Sequence, residues 1–186
     1  MAEILTREDL WLRIRGEPPL VEGLLDPQLQ IQVDGIELTV RQIETFAEAG
    51  VLGATDGERQ LPQTVPLDFS PQGWLYLAQG CYKVLYNEIV HIPTDMVALA
   101  RPRSSLLRMG VTIETALWDS GYSGRSESLL IVANEKGFRL KRDARLIQLI
   151  FFQLNKPVSQ GYAGRYQREN LDEQSTARAG DRAHPP

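Results

Sequence analysis

Residues 101–125, RPRSSLLRMGVTIETALWDSGYSGR, gather four arginines, two adjacent serines, the carboxylate of Asp119 and a glycine turn. Guanidinium forks and hydroxyls suit phosphate oxygens, because charge-assisted and bidentate hydrogen bonds match that geometry. A carboxylate held a short way downstream can orient a water and take its proton. Singly, Arg-Ser-Ser is an ordinary surface tripeptide and Asp-Ser-Gly an ordinary turn. Together they are less easily dismissed, since they set a carboxylate a few residues from a candidate phosphate cradle.

Such groups need rigid elements behind them. Pro102, Ser104, Ser105 and Gly110 read as a short helix, with proline near its start, serine as its cap and glycine as its stop. Its free N–H groups at the Arg103-Ser104 end add to the attraction for an anion. Arg103 and Arg108 cannot both be buried comfortably without anionic partners. Residues 111–118 are apolar and β-branched at intervals, so an extended run is predicted to deliver Asp119 to its far end, where residues 119–124 turn.

The remaining composition narrows the class. The 186 residues suffice for one domain, expected over 1–170, with an arm over 155–170 and a disordered tail over 171–186. A net charge of −4 argues against a grip on nucleic-acid backbones and leaves the local arginines to a small anion. Cys81 is the only cysteine, so no intrachain disulfide forms, and its strand-like setting predicts a buried thiol. A deaminase-type zinc site needs a His/Cys/Cys set, which His91, His184 and Cys81 cannot supply. No apolar run approaches a membrane span, and the expectation is a soluble, cytoplasmic protein.

In chain order, Thr6 with Asp9 three residues on predicts a capped amphipathic helix ending at Gly16. Asp26-Pro27 reads as a turn, and the phase change at Asp34-Gly35 as a bulge in a strand carrying Glu37. Residues 74–77 and 82–86 flank Ala78-Gln79-Gly80 and read as a hairpin, with the tryptophan and tyrosine stripe as core. Residues 128–134 form a strand closed by Glu135-Lys136-Gly137. Residues 145–154 are almost continuously apolar, as a strand covered on both faces would be. Gln148 interrupts them, and its amide needs a partner, either internal backbone or a ligand oxygen. Short strands spaced by turn signals mean an all-β sandwich or barrel. Beyond it, Gly161, Tyr162, Gly164, Arg165, Tyr166 and Arg168 suggest a hinged lid with stacking and cationic groups.

PRSSLLR followed by WDSGYSGR resembles the second and third motifs of the dUTPase and dCTP deaminase superfamily. ARLIQLIF at 144–151 resembles its fourth motif, GYAGRYQ at 161–167 its C-terminal segment, and the overall character is that of the archaeal-type dUTPases. The resemblance implies a distorted jelly-roll or β-clip barrel with a short N-terminal helix and one short internal helix, assembled as a homotrimer with shared sites. It implies hydrolysis of dUTP to dUMP and diphosphate with Mg²⁺, the attacking water activated by Asp119. Arg103, Ser104, Ser105, Arg108 and Gln148 then meet the triphosphate, with Gln148 on the α-phosphate. The 111–118 segment, including Thr115 and Trp118, reads the uracil edge, and Tyr122 stacks under the deoxyribose. Arg125, Tyr162, Arg165, Tyr166 and Gln167 complete the substrate contacts, and Glu37 stands where the family has a magnesium-associated aspartate.

Two other readings share this fold. The dCTP deaminases, and bifunctional deaminase-diphosphatases, carry a glutamate ten residues beyond the aspartate. Leu129 occupies that place here, and Glu127, on the same strand face, could substitute only if the strand slid by two. A non-catalytic deoxynucleotide sensor would have no use for Asp119 as a base.

Overall fold

The computed structural model describes residues 3–171. Among them, chain order runs β1 (Glu3–Ile4), α1 (Arg7–Arg13), β2 (Val21–Glu22), α2 (Pro27–Gln30), β3 (Ile31–Gln32), β4 (Gly35–Phe46), a 3₁₀ turn (Asp56–Glu58) and β5 (Thr64–Leu67). It continues with β6 (Trp74–Leu77), β7 (Gly80–Tyr86), β8 (Ile89–His91), β9 (Met96–Pro102) and α3 (Ser104–Arg108). The last strands are β10 (Val111–Glu114), β11 (Ser123–Gly124), β12 (Glu127–Val132), β13 (Phe138–Lys141) and β14 (Arg145–Gln153). Of the tail predicted over 171–186, residues 172–186 lie outside the described residues.

The main sheet is antiparallel and runs β1-β14-β4-β7-β12-β10, with β3 and β5 also paired to β4 and β9 to β14. Two smaller sheets, β11-β8-β2 and β13-β6, cover it. The predicted all-β architecture is therefore the observed one. Period-2 alternation explains the core: β12 is buried at Ser128, Leu130 and Val132 and half-buried between them. Leu38 and Val40 of β4, Met96 of β9, and Ile147, Leu149 and Phe151 of β14 are fully buried. Each such side chain contributes about 1.5–3 kcal/mol relative to exposure.

The capping box at the first helix forms as the sequence predicts, with Thr6 and Asp9 exchanging backbone and side-chain bonds. Asp26 does more than turn the chain: its side chain caps α2, accepting from the amides of Gln28 and Leu29. The phase change at Asp34-Gly35 is a tight reversal, not a bulge, since Gln32 pairs with Gly35 and Ile31 with Ile36. The expected hairpin over 74–86 does not form. β6 pairs with β13, while β7 lies between β4 and β12, so Tyr82 and Tyr86 enter the core whereas Trp74 and Tyr76 stay largely exposed. Cys81 is exposed, on the face of β7 opposite to buried Tyr82 and Val84. Among the described residues no helix is long and apolar enough to cross a membrane.

Beneath β4 lies a buried polar knot. Glu88, fully buried, accepts from Gln30 Nε2 at 2.6 Å, Thr39 Oγ1 at 2.6 Å and Thr39 N at 2.9 Å. Gln30 Nε2 also donates to the carbonyl of Glu37 at 2.9 Å, which ties this knot to the strand that carries Glu37.

Candidate active site

The sequence-predicted residues fall into two groups. The first lies across β9, β14 and β4, where Gln148 of β14 sits opposite Arg101 of β9 on one side and Glu37 of β4 on the other. Directly paired residues share a face, so all three point the same way. Gly35 makes room for them: a Cβ there would meet the Leu149 carbonyl at 2.5 Å and Gln148 Cγ at 3.0 Å. The Gln148 side chain is half-buried, and its amide finds no hydrogen-bond partner among the described residues. No internal group meets it, so its two donors and its carbonyl stand open to solvent or a ligand.

Glu37 is 5% exposed. Its Oε1 receives Arg103 Nε at 2.6 Å and its Oε2 receives Arg145 Nη1 at 2.7 Å. Arg103 caps α3 in an extended conformation, and its amide donates to the Leu146 carbonyl at 2.9 Å. Ser104, not the cap as the sequence predicts, is the first residue of the helix. Ser104, Ser105 and Arg108 are exposed, and Arg108 Nη1 reaches back to the Ser104 carbonyl at 3.1 Å. With both carboxylate oxygens taken by guanidinium groups, Glu37 is not disposed as a metal ligand. Nor do three His, Cys, Asp or Glu side chains cluster anywhere among the described residues. The residues present do not fit a magnesium ion held by the protein.

The second group is the turn after β10. Trp118 bridges back to Ala98 of β9, and Asp119 follows it, exposed, with no side-chain partner among the described residues. Tyr122 N donates to the Asp119 carbonyl at 3.0 Å, and Gly121 N to the Ile92 carbonyl at 2.9 Å. Gly121 adopts a positive φ of 86°, which L side chains disfavour. Thr115 is half-buried. Trp118, by contrast, is only 4% exposed, with its indole nitrogen unpaired, so it supports the segment from the core. Arg125 also points inward: it is 3% exposed, and its Nη1 donates to the carbonyls of Tyr86 and Asn87. Its expected place beside substrate is corrected accordingly, because internal carbonyls occupy that end of its fork.

The C-terminal arm does not stand off the barrel as a free lid. Gln167 Oε1 accepts from Ser123 N at 2.8 Å, while its Nε2 donates to the carbonyls of Gly121 at 2.8 Å and Tyr162 at 3.0 Å. Tyr162 N donates to the Ser120 carbonyl at 2.7 Å, and its ring meets Tyr122 edge-on at 6.0 Å. Tyr122, 6% exposed, donates its hydroxyl to Glu169 Oε1 at 2.8 Å. Burial raises the Glu169 carboxyl to about 6 and, together with Glu169, lifts the Tyr122 hydroxyl well above its ordinary range. Arg165 is exposed and Tyr166 half-buried. The arm is thus a strap across the Asp119 turn, with Gln167 as its buckle.

Leu129 holds the position ten residues beyond Asp119, paired with Lys83 and Glu114 across the sheet. Glu127, expected to face solvent, is half-buried: its Oε1 receives Lys83 Nζ at 3.1 Å and Asn170 Nδ2 at 3.3 Å. Lys83 also reaches Glu44 at 2.7 Å. β12 is paired in register from Glu127 to Val132, so the strand has not slid. Arg101 and Arg145 were not legible as site residues, since one reads as the preamble to PRSS and the other as the edge of an apolar strand. Their shared face with Gln148 emerges only from the register.

The two groups stand apart within one chain. Asp119 lies beside the start of β9, one residue past the Ala98 bridge, and Arg103 lies beyond its end. Six residues of strand span about 20 Å.

Over residues 4–154 the sequence matches the dCTP deaminase-like family. It is 49% identical to a probable deoxyuridine 5'-triphosphate nucleotidohydrolase of Methanosarcina mazei over 169 residues, 91% of this chain and 99% of the relative. The probable nucleotidohydrolase of the same name from Archaeoglobus fulgidus is 40% identical over 153 residues, 82% of this chain and 89% of the relative. In fold it is similar to the crystal structure of 2'-deoxycytidine 5'-triphosphate deaminase from Agrobacterium tumefaciens, with a TM-score of 0.63 at 22% identity. That comparison covers 82% of this chain and 48% of the deaminase, so the chain spans about half the deaminase's length. With most of its length inside the match, and with relatives of the same size at 40–49% identity, the chain belongs to the dCTP deaminase-like family.

Proposed function

We propose that the protein hydrolyses dUTP to dUMP and diphosphate. The observation that carries this is an unpartnered carboxylate at Asp119 combined with an apolar Leu129 where a deaminase needs its glutamate. The named relatives at 40–49% identity point to the same substrate. In the proposed reaction Asp119 orients a water and takes its proton as the water oxygen attacks the α-phosphorus. The bond from that phosphorus to the bridging oxygen breaks, and diphosphate leaves. Arg103, Ser104 and Gln148 hold the phosphate oxygens on which charge accumulates, since positioning and charge stabilisation dominate phosphoryl chemistry. Magnesium enters bound to the nucleotide, as part of the substrate.

Because Asp119 and Arg103 lie at opposite ends of β9, the proposed site takes the aspartate from one copy and the arginine from the next. A head-to-tail contact whose rotation closes makes a ring, and the ring that the family resemblance implies is a homotrimer. The strap then keeps Tyr122 under the deoxyribose, with Thr115 and its neighbours at the uracil edge and Arg165 and Tyr166 at the rim. We take the enzyme to act on free nucleotide in the cytoplasm.

The test is to incubate the protein separately with Mg-dUTP and Mg-dCTP and to follow diphosphate and ammonia. Diphosphate from dUTP without ammonia from dCTP is expected; ammonia from dCTP would give Glu127 or another group the deaminase role. Asp119→Asn is expected to lower kcat by ~10²–10⁴, and a loss below about threefold would remove Asp119 as the base. Binding of dUTP without turnover by the unaltered protein would favour a sensor.

A further inference from the structure

Arg145 reaches the face of Gln148 by an irregularity in β14. Gln148 pairs with Glu37 and Ile147 with Leu38, but Thr39 is met by Arg145, not Leu146. In a regular ladder Leu146 would face the same way as Gln148, and Arg145 would point to the opposite side. The inserted residue reverses this: Leu146 is 1% exposed, in the core, and Arg145 lies on the side of Glu37. A bulge that re-aims a side chain is a built feature, common beside active sites.

The re-aimed guanidinium is then fixed. Arg145 Nη1 donates to Glu37 Oε2 at 2.7 Å and to the Leu29 carbonyl at 2.7 Å, which leaves Nε and Nη2 without a partner among the described residues. Arg103 uses Nε on Glu37 and brings Nη1 to the limit of bonding with the Arg145 carbonyl at 3.5 Å, so its Nη2 is free as well. The two side chains are 30% and 29% exposed, against 7% for the carboxylate between them. Glu37 thus sits beneath, and two guanidinium groups present unused donors outward. Without the carboxylate these cations would repel one another. Arg101 adds a third positive charge on the same face, so the cluster keeps an excess suited to a multiply charged anion.

We propose that Glu37 is a positioning residue that clamps Arg103 and Arg145 side by side, and that Arg145 is a second guanidinium binding the triphosphate. The role assigned to Arg145 rests on the proposed dUTP hydrolysis, whereas the clamp itself does not. This differs from a metal-associated role at position 37: the longer glutamate reaches both arginines, one with each oxygen.

The experiment compares the full-length protein with Glu37→Gln, Glu37→Asp, Arg145→Gln and the Glu37→Gln/Arg145→Gln pair. Binding of inorganic tripolyphosphate is measured by calorimetry without metal, and dUTP kinetics are measured across a Mg²⁺ titration. Glu37→Gln is expected to weaken tripolyphosphate about tenfold and to lower kcat/KM for dUTP at least as much, with the half-saturating Mg²⁺ within about twofold. Arg145→Gln should match it, and the pair should be no worse than about threefold beyond either single change, because both act through one clamp. Glu37→Asp, retaining the charge, should recover part of the binding. Unchanged tripolyphosphate affinity in Glu37→Gln, alone or with a raised Mg²⁺ requirement, would overturn the proposal. Should Glu37→Gln fail to fold, Arg145→Gln, which leaves the carboxylate and Arg103 in place, decides the matter: unchanged tripolyphosphate affinity there overturns the proposal. If the unaltered protein fails to turn over dUTP, the proposed function falls, while metal-free tripolyphosphate binding still decides the clamp.

Discussion

Replacing Glu88 by glutamine probes the polar knot under β4, and the sign of its effect follows from burial. The carboxyl accepts three hydrogen bonds, from Gln30 Nε2, Thr39 Oγ1 and Thr39 N, all of which favour the ionised form. Complete burial opposes them and wins, raising the group from 4.5 to about 7. Between those values the folded chain holds a proton that the unfolded chain has released, so stability falls as pH rises through this interval and levels off above it. The difference corresponds to about 3 kcal/mol. Glu88→Gln cannot ionise and lacks this loss. Urea unfolding from pH 4.5 to 8, at one protein concentration, should show the wild type losing about 3 kcal/mol relative to the variant. Glu169, raised to about 6, titrates in the same window but is present in both proteins and cancels. A flat difference, or a wild type that gains on the variant with rising pH, would refute the reasoning and mean that the three donors outweigh burial.

Two further outcomes concern the strap. Gly121→Ala places a Cβ 2.7 Å from Gly161 Cα and 2.9 Å from Tyr162 N, at a φ of 86°. The strap is therefore expected to lift, with trypsin cutting at Arg165 and Arg168 at least about tenfold faster than in the wild type, since about 1.4 kcal/mol of lost docking already gives that factor. Gln167→Glu keeps an acceptor for Ser123 N but sets a carboxylate oxygen against the carbonyls of Gly121 and Tyr162. Amide exchange at Ser123 should quicken by the equivalent of about 1–3 kcal/mol, and more than in Gln167→Ala.

The strands around the site were legible where a local pattern determined them. Of the runs read as extended at 111–118, 128–134 and 145–154, residues 111–114, 127–132 and 145–153 became strands of the main sheet. What failed was pairing. Residues 74–86 have the grammar of a hairpin, yet β6 pairs with β13, more than sixty residues away, and β7 lies between β4 and β12, because strand preference is settled by packing against neighbours. The same gap hid Arg145. Nothing in ARLIQLIF signals that one residue is inserted at Leu146, so its arginine reads as pointing away from Gln148. Gln148 itself was found as an anomaly, a polar residue in an apolar run, and only the structure shows that no internal group among the described residues approaches its amide. For Glu37 the charge and strand were readable, but not the two arginines that occupy it.

Cys81 lends itself to a use unrelated to the chemistry. It is the single thiol in the sequence and it is exposed on β7, so a maleimide dye marks each chain once, with no residue replaced. Single-molecule bleaching steps from such a preparation read out the number of copies in an assembly, and energy transfer between copies reports the spacing of their β7 strands.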